Sequence, residues 1–319
     1  MSNREIVVDQ LAKRYGEDVL AVDDISFSVK SGEIFGFLGP NGAGKSTTIK
    51  ILTSLALPTS GKALVGGFNV VSEADQVRQI MGVALQDIGL DDLMKPGELL
   101  ELQGELFGMQ RSESKARAEE LIALVGLTEA ADRRVGTYSG GMRRRLDLAL
   151  ALVHRPEILF LDEPTTGLDP ASRRDLWDEV KRLNRQFGIT IFLTTQYLEE
   201  ADQLSDVVAI INRGKIATMG SPTELKAGIG LEAINVSFAD RETAEKARES
   251  LGGFTDQVQI DRDTVRLYMG QAAEFVPAVV SHLQQAEMSP NSLTLTQPTL
   301  DDVFLQVTGR SLQPQEQAL

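Results

Sequence analysis

No cysteine occurs among the 319 residues. That excludes disulfides and thiolate metal sites and fits a reducing compartment. Basic residues are scarce, 32 against 46 acidic, for a net charge of −14 and a pI near 4.7. Such a balance argues against broad binding to nucleic acid or anionic lipid. Long apolar runs are missing as well. Nothing approaches the roughly 18 unbroken apolar residues a bilayer crossing needs. The best stretch, residues 146–161, is cut by His154-Arg155-Pro156-Glu157. The opening MSNREIVVDQ contains acids and no apolar centre, so no secretory signal is expected.

What is present is an ordinary globular composition, 42% hydrophobic and 24% charged. Up to about residue 220, short β-rich runs at 6–8, 25–29, 34–38, 81–85, 158–161, 190–194 and 207–211 alternate with helical patterns at 45–55, 113–125, 140–153 and 171–187. Apolar strands alternating with helices predict a mostly parallel sheet covered on both faces. Two helical patterns run in succession between 98 and 125, and the span of about 96–150 is expected to form a helical insert. Gly220-Ser221-Pro222, Gly228 and Gly230 mark a boundary. The first domain is therefore set at 1–225 and a second at 230–309, with 310–319 a frayed tail. Residues 230–319 carry 13 acids and 6 bases, and their pattern reads βαββαβ, a ferredoxin-like α+β unit, with a last helix near 300–307. Asp301-Asp302 in this part reads better as the acidic first turn of that helix than as a metal site.

The strand at 34–38 runs into Gly39-Pro40-Asn41-Gly42-Ala43-Gly44-Lys45-Ser46, followed by Thr47 and a helix. This is the G-x-x-x-x-G-K-[ST] spacing of a P-loop in its proper strand-to-helix context. Side chains would fill the space a polyphosphate must occupy, whereas glycines let backbone N–H groups converge on it at a helix N-terminus. Lys45 then reaches the β- and γ-phosphates and the Ser46 hydroxyl binds Mg²⁺. The apolar strand 158–161 ends in Asp162-Glu163. Asp162 suits the second Mg²⁺ contact, and Glu163 suits a group that polarises the attacking water.

A second anion-binding nest, Ser139-Gly140-Gly141 within Tyr138–Met142, lies upstream at a helix start. With it, the first 220 or so residues resemble the ATPase domain of ABC transporters. The resemblance equates 39–46 with Walker A, 158–162 with Walker B, Glu163 with the catalytic glutamate and Tyr138–Met142 with the LSGGQ signature, Arg145 being the basic residue that follows. It further implies that Gln86 belongs to the Q-loop and contacts Mg²⁺ or water, that Asp169 belongs to the D-loop, and that Tyr15 stacks on adenine. The family usually places a histidine after the strand that follows the D-loop; here Thr194-Thr195 is followed by Gln196. The only histidines, His154 and His282, lie elsewhere and are expected to be structural or surface residues. A glutamine amide still donates to the γ-phosphate but cannot become cationic, so slow turnover is expected.

TTQYLEEAD, together with PTLDDVFLQVTG near the C-terminus, resembles the daunorubicin/doxorubicin-resistance type of ATP-binding subunit, found in bacterial drug and antibiotic exporters. The resemblance implies an ATP-sandwich dimer with a second copy, ATP and Mg²⁺ at each site, and a separate transmembrane permease. It places the chain in the cytoplasm, peripheral on the inner face of the membrane, with the permease contact near 86–95. The C-terminal unit would regulate or support the dimer. Two alternatives compete with this reading: a polysaccharide-exporter ATPase with a glycan-binding β-sandwich, and a soluble ABC ATPase acting on DNA or ribosomes. The short, aromatic-poor C-terminal pattern weakens the first. The absence of cysteines, heptads and a second cassette weakens the second.

Overall fold

The computed structural model describes residues 4–16, 18–86, 89–229 and 232–309. The expectation of a frayed tail at 310–319 lies outside them. The chain divides into two compact units between Pro222 and Thr223.

In the first unit, β1 (Ile6–Tyr15) and β2 (Val19–Val29) precede β3 (Ile34–Leu38), α1 (Lys45–Leu52), β4 (Ser60–Val65), β5 (Phe68–Asn69), α2 (Ala74–Ile80) and β6 (Met81–Ala84). Then come α3 (Pro96–Leu106), α4 (Arg111–Leu124), α5 (Gly140–Ala151), β7 (Ile158–Asp162), α6 (Pro170–Phe187), β8 (Thr190–Thr195), α7 (Leu198–Leu204), β9 (Val207–Asn212) and β10 (Lys215–Gly220). The main sheet has the order β10-β9-β3-β8-β7-β6, parallel except for β10 against β9. Strands β3, β7 and β8 are buried at every position, as strands covered on both faces must be.

Side chains alternate across the sheet and so feed two cores. Phe35, Phe37, Phe160 and Phe192 join Phe27 of β2 in an aromatic cluster with ring centroids 5.2–5.9 Å apart. Leu159, Leu161, Ile191 and Leu193 pack on the opposite face with Leu146 of α5 and Trp177 of α6.

A second, antiparallel sheet of order β2-β1-β4-β5 was not expected from the sequence. Residues 6–8 and 25–29, read as members of the parallel array, belong to it. The signal was present: β2 alternates buried and exposed residues over its last six positions, the mark of a sheet wet on one face. Strand β4 opens with Ser60-Gly61-Lys62 and owes its form to pairing with β1. Helices α2 and α7, seven residues each, are too short to display a helical period.

The second unit takes all but the first residue of α8 (Pro222–Ile229), then runs β11 (Glu232–Ser237), α9 (Arg241–Leu251), β12 (Val258–Asp261), β13 (Thr264–Met269), α10 (Ala272–Gln285), β14 (Ser292–Thr296) and α11 (Leu300–Thr308). Its antiparallel sheet has the order β12-β13-β11-β14. Setting the first of four strands between the third and fourth is the split βαβ arrangement of ferredoxin-like units. Thr299 and Asp302 form a reciprocal capping box at the start of α11, so the acidic pair serves a helix terminus.

Close packing of α5 against β6 is set by Gly82, where a Cβ would lie 2.1 Å from the Ala151 carbonyl oxygen. Because that neighbour is backbone, Gly82→Ala should cost about 1–3 kcal/mol, read as a lowered unfolding midpoint of the first unit. An unchanged midpoint would show that the contact relaxes freely.

Candidate functional site

The parallel strands β3, β7 and β8 deliver their C-terminal ends to one edge of the sheet. Register pairs Leu38 with Thr195 and Asp162 with Thr194. The loop 39–44 leaves this edge with the Gly39 N–H donating to the Thr195 carbonyl at 3.1 Å. A Cβ on Gly39 would sit 2.4 Å from Ile211 O, and one on Gly44 (φ +111°) 2.4 Å from Ala21 O. Those two glycines are therefore demanded by packing within the fold. Gly42, at φ +78° with open space beside it, is the one whose bareness faces outward.

Lys45 opens α1 and is only 4% exposed. Its Nζ donates to Gly39 O at 2.8 Å and Pro40 O at 3.1 Å, and pairs with Glu163 Oε1 at 3.0 Å. Ser46 Oγ donates to Asp162 Oδ1 at 3.3 Å. The same carboxylate oxygen accepts from Thr194 Oγ1 at 2.5 Å. Glu163 occupies the left-handed region at φ +48°, a conformation costing about 1–3 kcal/mol in a residue with a side chain. Its N–H donates to both Thr194 O and Thr194 Oγ1 at 3.1 Å, and its Oε2 accepts from Thr166 Oγ1 at 3.3 Å. The buried lysine and the buried carboxylate thus meet across the strand edge.

Two residues that hold this arrangement were missed in the sequence. Thr194 lies in the quoted TTQ run but carries no motif of its own. Arg144 is buried and donates to the carbonyls of Asp162, Pro164 and Leu85. Arg145, the basic residue that the family resemblance marks, reaches Val125 O at 3.4 Å. Three successive arginines give no signal of which one turns inward; only the phase of α5 decides.

Each of the other expected site residues has its own setting. Gln86 is exposed beyond β6. Tyr15, 43% exposed at the end of β1, has Lys13 Nζ 4.9 Å from its ring centroid. Gln196 is half-buried between β8 and α7. Ser139 caps α5 by accepting from the Met142 N–H at 3.3 Å, while Tyr138 is buried and donates to Ala130 O at 2.8 Å. Burial pushes the Tyr138 hydroxyl up from its usual range. Asp169 caps α6, accepting from Ala171 N and Ser172 N at 3.0 Å and from Ser172 Oγ at 2.6 Å. The Ser172 bonds hold its carboxyl below the ordinary range. A Cβ on Gly141 would lie 3.0 Å from Ser172 Oγ, so the signature turn abuts the segment of Asp169. Among the described residues, no hydrogen bond joins 139–141 to 39–47.

His154 stacks on Phe107 at 3.9 Å and bonds Met81 O, and His282 bonds Ser250 in the second unit. Neither lies at the strand edge. Among the described residues no cluster of three His, Asp or Glu side chains could hold a metal by itself. The hard oxygens of Ser46 and Asp162, already side by side, match instead a Mg²⁺ that keeps waters and phosphate oxygens in its shell.

A family model described as ABC transporter matches residues 22–166. Another, described as ATP-binding protein DrrA1-3-like, C-terminal domain, matches residues 220–308. The chain is 42% identical to the daunorubicin resistance ATP-binding protein DrrA3 of Streptomyces coeruleorubidus, spanning 100% of both chains. It is 41% identical over 309 residues to the daunorubicin/doxorubicin resistance ATP-binding protein DrrA of Streptomyces peucetius, covering 96% of this chain and 93% of the relative. Among solved structures, the ATP-binding cassette MJ0796, in a dimeric post-hydrolysis state bound to ADP and Pi, matches with a TM-score of 0.62 at 25% identity. It covers 68% of this chain and 98% of that one.

Thr194→Val keeps the side-chain shape and leaves Asp162 Oδ1 one donor short. It should lower stability by about 1–3 kcal/mol, measured by urea unfolding, whereas Thr194→Ser should retain most of it. Equal midpoints for all three proteins would remove the hydroxyl from its role.

Proposed function

This chain belongs to the ABC transporter ATP-binding family, in its daunorubicin/doxorubicin-resistance branch, and from that premise we propose that it hydrolyses ATP to power efflux of a drug, antibiotic or lipid-like substrate through a separate membrane permease. One observation carries the mechanism: Lys45 and Glu163 face each other at 3.0 Å in a buried cleft beside Ser46 and Asp162. An arriving γ-phosphate offers Lys45 a more highly charged partner, and Glu163 is released to take the proton of the attacking water.

Backbone N–H groups within 41–47 cradle the phosphates at the start of α1, since Pro40 has none and the Gly39 N–H is spent on Thr195 O. Tyr15 stacks on the adenine, and its exposure supports that role. The Gln196 amide donates to the γ-phosphate without adding charge. Ser46, Asp162 and Gln86 would hold Mg²⁺, which would supply neutralising charge for the β- and γ-phosphates.

Ser139 and Gly140 are exposed and unbonded to their own phosphate loop, which supports a sandwich in which 139–141 and Asp169 of one copy close over ATP held by another. The dimeric state of the related cassette agrees with it. Charge-assisted bonds from both faces make ATP the link, and its cleavage loosens the pair. A groove of about 430 Å³, lined by Leu55, Leu85, Phe107, Asp147, Leu150 and His154, is the proposed seat of the permease. Among the described residues no helix is long and apolar enough to cross a membrane, consistent with a subunit held on the cytoplasmic face by that partner.

Glu163→Gln should keep ATP binding and cut hydrolysis by roughly 10²–10⁴-fold. Light scattering should then find it dimeric with Mg-ATP and monomeric without. Undiminished phosphate release, or a monomer under both conditions, would overturn the reading. Gln196→His should turn over at least as fast as the parent in the same phosphate-release assay; a folded, ATP-binding but inactive histidine variant would contradict the role given to Gln196.

A further inference from the structure

Arg144 lies one turn into α5 and is 4% exposed. Its guanidinium spends its donors on four acceptors. Nε bonds Pro164 O at 2.8 Å, Nη2 bonds Asp162 O at 3.0 Å, and Nη1 bonds Leu85 O at 2.6 Å and Asp147 Oδ2 at 3.1 Å. Asp162 and Pro164 flank Glu163, so one planar group grips the backbone on both sides of the general base. Leu85 is the last residue before Gln86. A single side chain therefore ties the end of β6 to the end of β7 and to the turn beyond it.

Asp147, one turn further along α5, anchors the guanidinium from the other side. Its side chain is 15% exposed and lines the 430 Å³ groove beside Leu85, Phe107 and His154. Direct bonds run from Asp147, in the groove lining, to Arg144 and on to the Asp162 and Pro164 carbonyls on either side of Glu163. Glu163 needs such support, because its backbone sits at φ +48° and relaxation to negative φ would swing the carboxylate off Lys45. A guanidinium presents its donors in a rigid fork, and a lysine at this place would hold at most part of the set.

We infer that Arg144, anchored by Asp147, is a positioning residue for ATP hydrolysis: by bonding the carbonyls on either side of Glu163 it holds that residue in its left-handed backbone. This rests on the proposed role of Glu163 as general base. The consequence is thermodynamic coupling. Arg144 matters to the rate only through Glu163, so its loss should cost nothing further once Glu163 cannot act.

The test uses the purified full-length chain with Arg144→Lys, Asp147→Asn, Glu163→Gln and the two double variants. ATP affinity is read with trinitrophenyl-ATP, and kcat and KM by steady-state phosphate release, with single turnovers to isolate the chemical step. Arg144→Lys should lower kcat by roughly 10–100-fold, the worth of charge-assisted bonds, with ATP affinity and KM within about threefold. Asp147→Asn should lower kcat by about 3–10-fold, because the carbonyl bonds remain. In the Glu163→Gln background each should change the residual rate less than about twofold. Wild-type rates in both single variants, or equal losses in both backgrounds, would overturn the inference while leaving the function intact. If Arg144→Lys does not fold, Asp147→Asn decides alone by the same two comparisons. Full hydrolysis in Glu163→Gln by itself would overturn the underlying reading and this inference with it.

Discussion

The ion pair between Lys45 and Glu163, 3.0 Å apart and sealed from water, is the interaction on which the rest of the site depends. Either charge alone would be costly to bury, and the pair offsets that cost only while its geometry is held. The chain supplies the geometry from several directions. Loop carbonyls of Gly39 and Pro40 satisfy the remaining lysine donors. Thr166 bonds the other carboxylate oxygen, and Thr194 holds the Glu163 backbone. In the proposed mechanism an entering polyphosphate would separate the two charges, turning binding energy into an active base.

The register of the central sheet makes that convergence possible. Parallel strands end on one side, so residues distant in sequence arrive together without a long loop to carry them. Thr194 of β8 stands opposite Asp162 of β7 and bonds its carboxylate. The aromatic cluster beneath, from Phe27 to Phe192, and the leucine-rich core above fix the strands in place. The antiparallel sheet built on β1 and β2 carries Tyr15, exposed, at the end of β1. The segments 139–141 and Asp169 form a separate exposed surface through the abutting starts of α5 and α6.

Motif-bearing stretches were legible because their chemistry is local. The P-loop needs consecutive glycines before a helix, and the carboxylates need a strand end, so 39–47 and 162–163 announce themselves within a few residues. The second unit was equally legible: its helices and strands are amphipathic with clear periods, and βαββαβ has few ways to fold. What escaped notice had no local mark. Strand β4 is polar at its start and becomes a strand by pairing. Gly39 and Gly44 were credited to phosphate, whereas Ile211 O and Ala21 O are what forbid a side chain there. The choice of Arg144 over Arg145 depends on which side of α5 is packed.

By itself the sequence determined that a phosphate-binding strand–loop–helix, a strand ending in Asp-Glu and a second glycine nest occur in one chain, because each rests on neighbouring backbone geometry. Tertiary structure alone decided that Lys45 closes on Glu163, that Thr194 bonds both acidic positions, and that Arg144 spans three strand-edge carbonyls. Those contacts join residues from about twenty to more than a hundred positions apart. Their energies depend on distances of a few tenths of an ångström, which only the packed sheet and its register can set.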